Sequence, residues 1–281
     1  MTQQRLGYKT DVRHFTVEFC HGYTVIYLRV KASLKSSVNF QNDRRHVHSK
    51  GKVFVFYDLE TTGFNHRTQH KEIEMVSIAA QADTGEVFTR HALPTVPMQP
   101  GASRVNGFTV VNSVLMFNGN PVSDVTSQAE ALVGFTAFLD EVSAEKTLVL
   151  VAHNGHKFDH VVLANLLTKY RVDSDGIIDL VLDTVPLAMR VLGRRDVRQE
   201  TLVRLLLNRA PGRKEGRHDA VKDVTDLKEI FAKVKERASE DQLQGDFRHF
   251  AKFMEEAAQR MRVEEAVRVA EGDGRPTSLI E

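Results

Sequence analysis

The pattern of apolar and polar positions divides the chain into three regions. Residues 52–238 alternate short continuous apolar runs with stretches in which apolar residues recur every three or four positions. The runs predict buried strands, and the recurring stretches predict helices. Residues 1–51 mix short apolar pieces with basic and polar residues, and residues 239–281 are highly charged with a helical period. We therefore predict an N-terminal extension, a central domain and a charged helical C-terminal extension with these bounds.

In the central region, predicted strands come first and helices then alternate with strands. The strands are expected at Val53–Tyr57, Ile73–Ala80, Glu86–Leu93, Leu148–Ala152 and Ile177–Leu182. The helices are expected at 127–141, 158–170, 184–191, 199–208 and from 219 onwards. Turn residues Asp83-Thr84-Gly85 favour a hairpin between the second and third strands. The order predicts an α/β fold with a mixed five-stranded sheet flanked by helices. The four prolines within 94–121 predict a loop-rich segment.

The first predicted strand ends in two carboxylates. Asp58 and Glu60 follow five apolar residues, and residues i and i+2 of a strand point the same way. The two side chains are therefore expected to project together from the carboxyl end of the strand. Like charges this close repel strongly unless cations hold them, so the pair is a candidate metal site.

Two further segments carry acidic residues at the start of predicted helices. After a predicted strand, a turn at Asn154-Gly155 leads into a helix whose first turn contains Asp159. His218 precedes the long helix, and Asp223 lies at the rim of its buried face. These two residues are about 140° apart on a regular helix. Both can reach one site only if His218 lies at the helix entry in non-helical geometry.

Carboxylates on three elements suit divalent metal chemistry. Mg²⁺ and Mn²⁺ prefer hard oxygen ligands, and two such ions about 3.5–4 Å apart can hold the attacking and leaving oxygens of a phosphodiester. A neutral histidine can take the proton from the attacking water, since its unperturbed pKa is about 6.5. The sequence therefore points to two Mg²⁺ or Mn²⁺ ions and a histidine base. The candidate catalytic residues are Asp58, Glu60, Asp159, His218 and Asp223.

The three segments, in this order, resemble the three exonuclease motifs of the DEDDh family. That family is DnaQ-like and part of the ribonuclease H-like superfamily. The resemblance covers residues 52–235, includes supporting stretches at Arg104–Thr109 and Asp183–Ala188, and is nearest the three-prime repair exonuclease branch. It implies a ribonuclease H-like fold and hydrolysis of DNA or RNA from the 3′ end to 5′-mononucleotides. It also implies that the four carboxylates bind metal and that His218 is the general base.

The resemblance further implies where the nucleic acid binds. Leu59 and Thr61 are expected to contact the terminal nucleotide, and Asn106, Asn154 and Phe158 complete the expected substrate-binding set. Asn106 stands where many relatives have histidine. The expected partner is a single-stranded or 3′-ended nucleic acid, with DNA favoured over RNA.

Two basic clusters are candidates for phosphate contacts. The first comprises Arg194, Arg195 and Arg198. The second comprises Arg209, Arg213, Lys214 and Arg217. We favour the second cluster because it lies immediately before His218. Residues 1–52 hold ten Lys or Arg and three Asp or Glu, which fits either a basic arm or a solvated extension.

Two other interpretations compete with the exonuclease. His153, His156 and His160 have a spacing that would suit zinc on a helix, but the Asn154-Gly155 turn interrupts it. A catalytically inactive nucleic-acid-binding or scaffold module could share the same fold. We favour the enzyme, because all five catalytic positions are filled.

The composition limits the kinds of binding site and the cellular location that are expected for the protein. The formal net charge is +1, so binding of a polyanion must come from a local patch or from bound metal ions. The single cysteine, Cys20, excludes an intrachain disulfide and a four-thiolate zinc site. No apolar run approaches the roughly 20 residues of a membrane helix, and no signal-peptide core is evident. We expect an intracellular protein of cytoplasm or nucleus, not secreted and without membrane association, and leave a homodimer open.

Overall fold

The chain forms two units, Met1–His48 and Ser49–Glu281. In the first, strand β1 (Phe19–Cys20) pairs antiparallel with strand β2 (Tyr23–Thr24). The other expectations for the N-terminal extension fall outside the described residues. Beyond this hairpin, the computed structural model describes residues 51–64, 72–144, 146–211 and 220–270.

A mixed seven-stranded sheet forms the centre of the second unit. Its strands are β3 (Lys52–Thr61), β4 (Met75–Ala82), β5 (Val87–Ala92), β9 (Val125–Thr126), β10 (Thr147–Ala152), β11 (Leu180–Asp183) and β12 (Arg248–His249). Their spatial order is β12-β11-β10-β3-β4-β5-β9. Strand β3 runs parallel to β10 and antiparallel to β4. A separate three-stranded sheet consists of β6 (Phe108–Val111), β7 (Val114–Phe117) and β8 (Asn120–Pro121).

Helices connect the strands and cover the sheet. Those that the structure describes are α1 (Pro100–Asn106), α2 (Gln128–Ser143), α3 (Asp159–Lys169), α4 (Thr184–Leu192), α5 (Gln199–Leu206), α6 (Ala220–Lys235), α7 (Glu240–Gln244) and α8 (Phe250–Ala270). Helix α2 begins with a capping box, in which Ser127 and Glu130 each accept a hydrogen bond from the other's backbone amide. Within the described residues, none of the helices has both the length and the apolar character to cross a membrane.

Side chains of β3 alternate between two hydrophobic clusters. Val55 and Tyr57 pack in a cluster that includes residues of α2, α3 and α8. Phe54 and Phe56 pack in a second cluster with residues of α4, α5 and α6. This alternation is the period of two that a strand requires. Since β3 is buried on both faces, its apolar run is continuous.

The predicted α/β class, the flanking helices and the β4–β5 hairpin are confirmed. The predicted number of strands is wrong, because two-residue strands β9 and β12 extend the sheet at its edges. Pairs this short leave no alternation in the sequence. The segment 94–121, expected to be loop-rich, contains α1 and the three-stranded sheet. Its prolines lie at positions that regular structure tolerates: Pro100 is the first residue of α1, and Pro121 ends β8.

The buried residue Glu74 links the segment that follows β3 to neighbouring parts of the structure. Glu74 is 1% exposed and accepts hydrogen bonds from Lys169, Tyr170 and Thr95. Its backbone pairs with Thr62, the residue after β3: the Thr62 amide donates to the Glu74 carbonyl at 2.8 Å. Burial raises the pKa of Glu74, but hydrogen bonds from Lys169, Tyr170 and Thr95 outweigh burial, so the pKa lies below its usual value.

Replacing Glu74 with glutamine is expected to destabilise the fold. At pH 7 the loss in free energy of unfolding should be about 1–3 kcal/mol, because the amide leaves buried donors unsatisfied. Because the pKa of Glu74 is lower in the folded protein than in the unfolded chain, its charged carboxylate stabilises the fold above the unfolded-state pKa of about 4.3. This stabilisation is lost as the pH falls through the folded-state pKa. The difference between wild type and Glu74→Gln should therefore shrink below about pH 4.

Urea unfolding from pH 3 to 8 measures this difference. The matched control is Glu141→Gln, which changes an exposed carboxylate on α2 and should leave stability unchanged. A destabilisation by Glu74→Gln that does not vary with pH would contradict the charge-based explanation.

Candidate active site

The site begins where β3 leaves the core. Asp58 and Glu60 continue the side of β3 that Phe54 and Phe56 occupy, so they face the cluster that contains α6. The register of β3 with β4 shifts between Glu60 and Thr61. This irregularity ends the regular ladder directly after the two carboxylates.

Helix α6 brings a third carboxylate to the same place. Ligand oxygens of Asp58, Glu60 and Asp223 all lie within 4.8 Å of one another. Glu60 and Asp223 are each 5% exposed, and Asp58 is half-buried. The Asp223 backbone carbonyl accepts a hydrogen bond of 2.6 Å from the side chain of Gln199, the first residue of α5. We call Asp58, Glu60 and Asp223 the acidic trio.

Asp159 lies beside the acidic trio at the first position of α3. One of its carboxylate oxygens accepts a hydrogen bond of 3.3 Å from the backbone amide of Leu59, between the two acidic residues of β3. Asp159 is 5% exposed. Burial raises the pKa of its carboxyl group, the Leu59 amide opposes the shift, and the nearby Asp183 adds to it. The structure thus brings the four predicted carboxylates together. Asp58, Glu60 and Asp223 lie close to one another, and Asp159 is linked to β3 through the backbone amide of Leu59.

The loop between β10 and α3 is held by a buried carboxylate that sequence analysis named in a supporting stretch but not as a site residue. Asp183 is 3% exposed and accepts hydrogen bonds from the backbone amides of Asn154, His156 and Val185 at 2.9–3.1 Å. It also caps α4. Asn154 adopts a left-handed backbone with φ of 64°, which asparagine tolerates. Asp183 therefore fixes the turn that leads into Asp159.

His160, next to Asp159, is fully buried and bonded through both ring nitrogens. Its Nε2 lies 3.3 Å from the carbonyl of Leu182, and its Nδ1 lies 2.8 Å from the hydroxyl of Tyr57. A carbonyl only accepts, so Nε2 carries the proton and Nδ1 accepts from the hydroxyl. Burial lowers the pKa of His160 to about 3, which keeps the ring neutral. Both ring nitrogens are therefore used in hydrogen bonds within the protein, which argues against His160 as a zinc ligand.

The residues expected to bind substrate occupy different environments. Leu59 is 5% exposed and packs in the core, while its amide contacts Asp159. Thr61 is buried, and its hydroxyl donates to the Gly63 carbonyl at 3.0 Å. Asn106 is fully buried: its side chain donates to the Thr61 carbonyl and accepts from the Phe108 amide, both at 3.0 Å. The polar groups of the Asn106 side chain are therefore used in hydrogen bonds within the protein, one of them to the end of β3.

Phe158 and Asn154 lie nearer the surface. Phe158 precedes α3 and is half-buried, with its ring centroid 6.0 Å from that of Phe64, which is 40% exposed. Asn154 lines a cavity of about 630 Å³ together with Asp58, Asp223 and residues 195–200. Two members of the acidic trio, Asp58 and Asp223, therefore line this cavity.

The basic cluster favoured from sequence is placed differently from expectation. Arg209 pairs with Asp226 at 2.8 Å and Glu229 at 3.0 Å on α6, which commits its charge to the protein. Arg195 and Arg198, in contrast, line the cavity beside the acidic trio. Arg198 is paired with Asp196 at 2.9 Å, and Arg195 is exposed. Arg209 thus shares its charge with two carboxylates, and phosphate contacts by either cluster remain a prediction.

Four predicted residues lie outside the described part of the chain. They are His218 and the basic residues Arg213, Lys214 and Arg217. The chain resumes at Ala220, the first residue of α6. Gln199 and Asp183 are the site residues that sequence reasoning missed. Asp183 had a local signal, since an aspartate before Thr184 at a strand-to-helix junction is a typical helix cap. Gln199 had none.

Comparisons with known proteins agree with this architecture. A family model described as "Exonuclease" (RNase_T) matches residues 55–231. No curated protein sequence matches the chain. Among solved structures, the moderately thermophilic exonuclease I from Methylocaldum szegediense is 17% identical with a TM-score of 0.50, covering 68% of this chain and 41% of that one. At this identity the likeness supports the fold alone.

A second similar structure is exonuclease I of E. coli in complex with a dA16 oligonucleotide. It is 19% identical with a TM-score of 0.48, and the match covers 69% of this chain and 42% of that one. The chain therefore spans less than half the length of these solved exonucleases.

Substitution of Gly155 tests how tightly the loop between β10 and α3 is packed on His160. A Cβ added at Gly155 would lie 2.5 Å from His160 Nε2 and 2.8 Å from Ala152 Cβ. Gly155→Ala is therefore expected to lower the free energy of unfolding by about 1–3 kcal/mol, because both neighbours are buried. Gly101→Ala is the control, since the nearest atom to its added Cβ would be a guanidinium nitrogen of Arg104 at 4.0 Å, and alanine favours the helix. Equal stability of the two variants in urea unfolding would contradict the close packing.

Proposed function

The chain belongs to the exonuclease family whose model matches residues 55–231, and from that premise we propose that it is a metal-dependent 3′→5′ exonuclease. In this proposal it hydrolyses the last phosphodiester bond of a nucleic-acid strand and releases a 5′-mononucleotide. The expected substrate is single-stranded or 3′-ended nucleic acid, with DNA favoured over RNA. The catalytic set comprises the acidic trio, Asp159 and His218.

The acidic trio is the observation that carries the proposal. Three carboxylates with ligand oxygens within 4.8 Å, two of them almost completely buried, repel one another strongly at neutral pH. Divalent cations relieve this repulsion, and all-oxygen donor sets suit Mg²⁺ and Mn²⁺. Asp159 adds a fourth carboxylate, itself buried, which accepts from the backbone amide of Leu59 between Asp58 and Glu60. The donor set therefore fits two hard divalent cations.

Each residue has a distinct role in the proposed reaction. Asp58, Glu60, Asp159 and Asp223 would hold two Mg²⁺ or Mn²⁺ ions, which when bound polarise the phosphodiester and stabilise charge on the attacking and leaving oxygens. His218 takes the proton from the attacking water, because a neutral imidazole is a suitable base near neutral pH. The leaving 3′ oxygen then takes a proton from solvent.

The cavity beside the acidic trio supplies a path for the strand. Arg195 offers an exposed positive charge on its wall, whereas Arg198 is partly neutralised by Asp196. A basic group at this place would bind phosphates upstream of the bond that is cut. Phe64 and Phe158 present aromatic surface near the start of α3, on which the base of the terminal nucleotide could stack.

Digestion of end-labelled strands tests the proposed activity. With Mg²⁺ or Mn²⁺, a 5′-labelled single strand should shorten stepwise, and a 3′-labelled strand should release labelled mononucleotide at once. Asp58→Ala should reduce the rate more than about a hundredfold, because losing a metal ligand costs more than the 10–100-fold typical of second-shell changes. Asp140→Ala, which removes an exposed carboxylate on α2, should retain full activity.

Three results would contradict the proposal. They are activity that survives a chelator, internal cuts alone, and release of mononucleotides from the 5′ end. Binding of the strand without turnover in any divalent metal would instead favour the inactive binding module.

Arg195→Ala tests the path of the strand. The variant should bind single-stranded DNA more weakly, and the slope of log Kd against log salt concentration should shrink by about 0.7, the value for one phosphate contact to a single strand. Fluorescence anisotropy from 50 to 300 mM salt with Ca²⁺ in place of Mg²⁺ measures this slope. Arg237→Ala, an exposed position two residues after the end of α6, is the matched control. An unchanged slope for Arg195→Ala would place the strand elsewhere.

A further inference from the structure

We infer that His160 is a positioning residue for the metal site, and that Phe253 of the C-terminal helix α8 keeps it in place. The inference rests on the proposed function, because it concerns the geometry of the proposed metal ligands. It assigns a role in activity to residues beyond position 231, where the match to the exonuclease family ends.

His160 joins the elements that carry three of the four carboxylates. It follows Asp159 on α3, and its Nδ1 accepts a hydrogen bond of 2.8 Å from the hydroxyl of Tyr57. Tyr57 precedes Asp58 on β3 and is fully buried. A second bond, from Nε2 to the Leu182 carbonyl, ties the same ring to β11. The ring therefore fixes the start of α3 against two strands of the sheet.

A second link runs between the same two elements on the side of the carboxylates. Asp159 accepts from the Leu59 amide at 3.3 Å. Because the Asp159 and His160 side chains both bond to β3, the start of α3 can neither slide along the strand nor rotate away from it without breaking one of the bonds. If the bond between Tyr57 and His160 is lost, the side-chain link that remains between the start of α3 and β3 is the longer one, from Leu59 to Asp159.

Helix α8 closes the remaining side of His160. The ring of Phe253 packs edge-on against His160 with centroids 5.7 Å apart, and lies nearly parallel to His156 at 5.9 Å. Phe253 is 6% exposed. On the opposite side, the imidazole leaves no room for a Cβ at Gly155. His160 is thus packed between the loop that precedes α3 and α8.

The position of Phe253 is itself well defined. Strand β12 pairs with β11 through Val181 and Arg248, directly before α8 begins. Further along α8, Arg260 donates to the side chain of Asn165 on α3 at 3.0 Å. On one side of Phe253 the start of α8 is thus held at the sheet, and on the other side α8 is held against α3. The C-terminal segment therefore completes the support of the site, although none of its residues belongs to the acidic trio.

Metal binding and kinetics of the full chain test this inference together. Tyr57→Phe removes the hydroxyl that bonds to His160, and Phe253→Leu removes the ring that packs on it. Both variants should raise the Kd for Mn²⁺ by about 10–100-fold, the range seen when second-shell partners of metal ligands are changed. They should lower kcat at limiting metal, while KM for the strand changes less than about twofold. Isothermal titration calorimetry with Mn²⁺ alone gives the Kd without relying on activity.

Matched controls separate positioning from general loss of packing. Phe88→Leu makes the same substitution in the same hydrophobic cluster, where Phe88 packs on Phe135 and Phe138 away from His160. Tyr170→Phe removes a tyrosine hydroxyl that bonds to Glu74 instead. Both controls should keep the wild-type Kd for Mn²⁺, even where they lower the melting temperature.

The outcomes distinguish this inference from the proposed function. Wild-type affinity for Mn²⁺ in Tyr57→Phe and Phe253→Leu would overturn the inference and leave the proposed function intact. Failure of the wild-type chain itself to bind Mn²⁺ would overturn the proposed function, and the inference with it. If Phe253→Leu does not fold, Tyr57→Phe decides alone, because it removes a single oxygen atom and keeps the ring.

Discussion

The alternation of side chains along β3 is the constraint on which the rest of the structure depends. Odd-numbered residues from Val53 to Leu59 pack in one core cluster, and Phe54 and Phe56 pack in the other. Asp58 and Glu60 must follow the second set, because the period of a strand is two. This strand, which is buried on both faces, thus delivers two carboxylates to one point at its end, facing α6. A shift of one residue would bury both charges against α2 and α3.

Concentrating negative charge in this way requires a rigid surrounding structure. Asp159 and Asp183 are buried carboxylates whose pKa values burial raises, and each accepts backbone hydrogen bonds that oppose the shift. Those hydrogen bonds define where the carboxylates lie. Asp183 holds the loop that leads to α3, while Asp159 is bonded to Leu59 near the carboxyl end of β3. The backbone amides therefore offset part, though not all, of the rise in pKa that burial causes in Asp159 and Asp183.

The basic residues near the site differ in their environment: some form ion pairs within the protein, and others are exposed at the surface. Arg209 forms ion pairs with two carboxylates of α6, one of them the buried Asp226. Arg195 remains exposed on the wall of the cavity. Both belong to arginine-rich stretches that look equivalent in the sequence. The difference arises because Arg209 follows α5 closely enough to reach the side of α6, whereas residues 195–198 form the connection over the cavity.

The sequence by itself determined the α/β class, the order of the main elements and the carboxylate pair on β3, because each follows from a local period of two or 3.6 residues. It also identified Asp159 and Asp223 as candidates through their positions at helix starts. Only the tertiary structure decided that Asp223 approaches within 4.8 Å of that pair, that Asn106 is buried behind Thr61, and that His160 bonds to Tyr57. Contacts of this kind join residues far apart in the sequence: 103 positions separate Tyr57 from His160, and 165 separate Asp58 from Asp223. No local pattern encodes them, since they depend on how helices pack on the finished sheet.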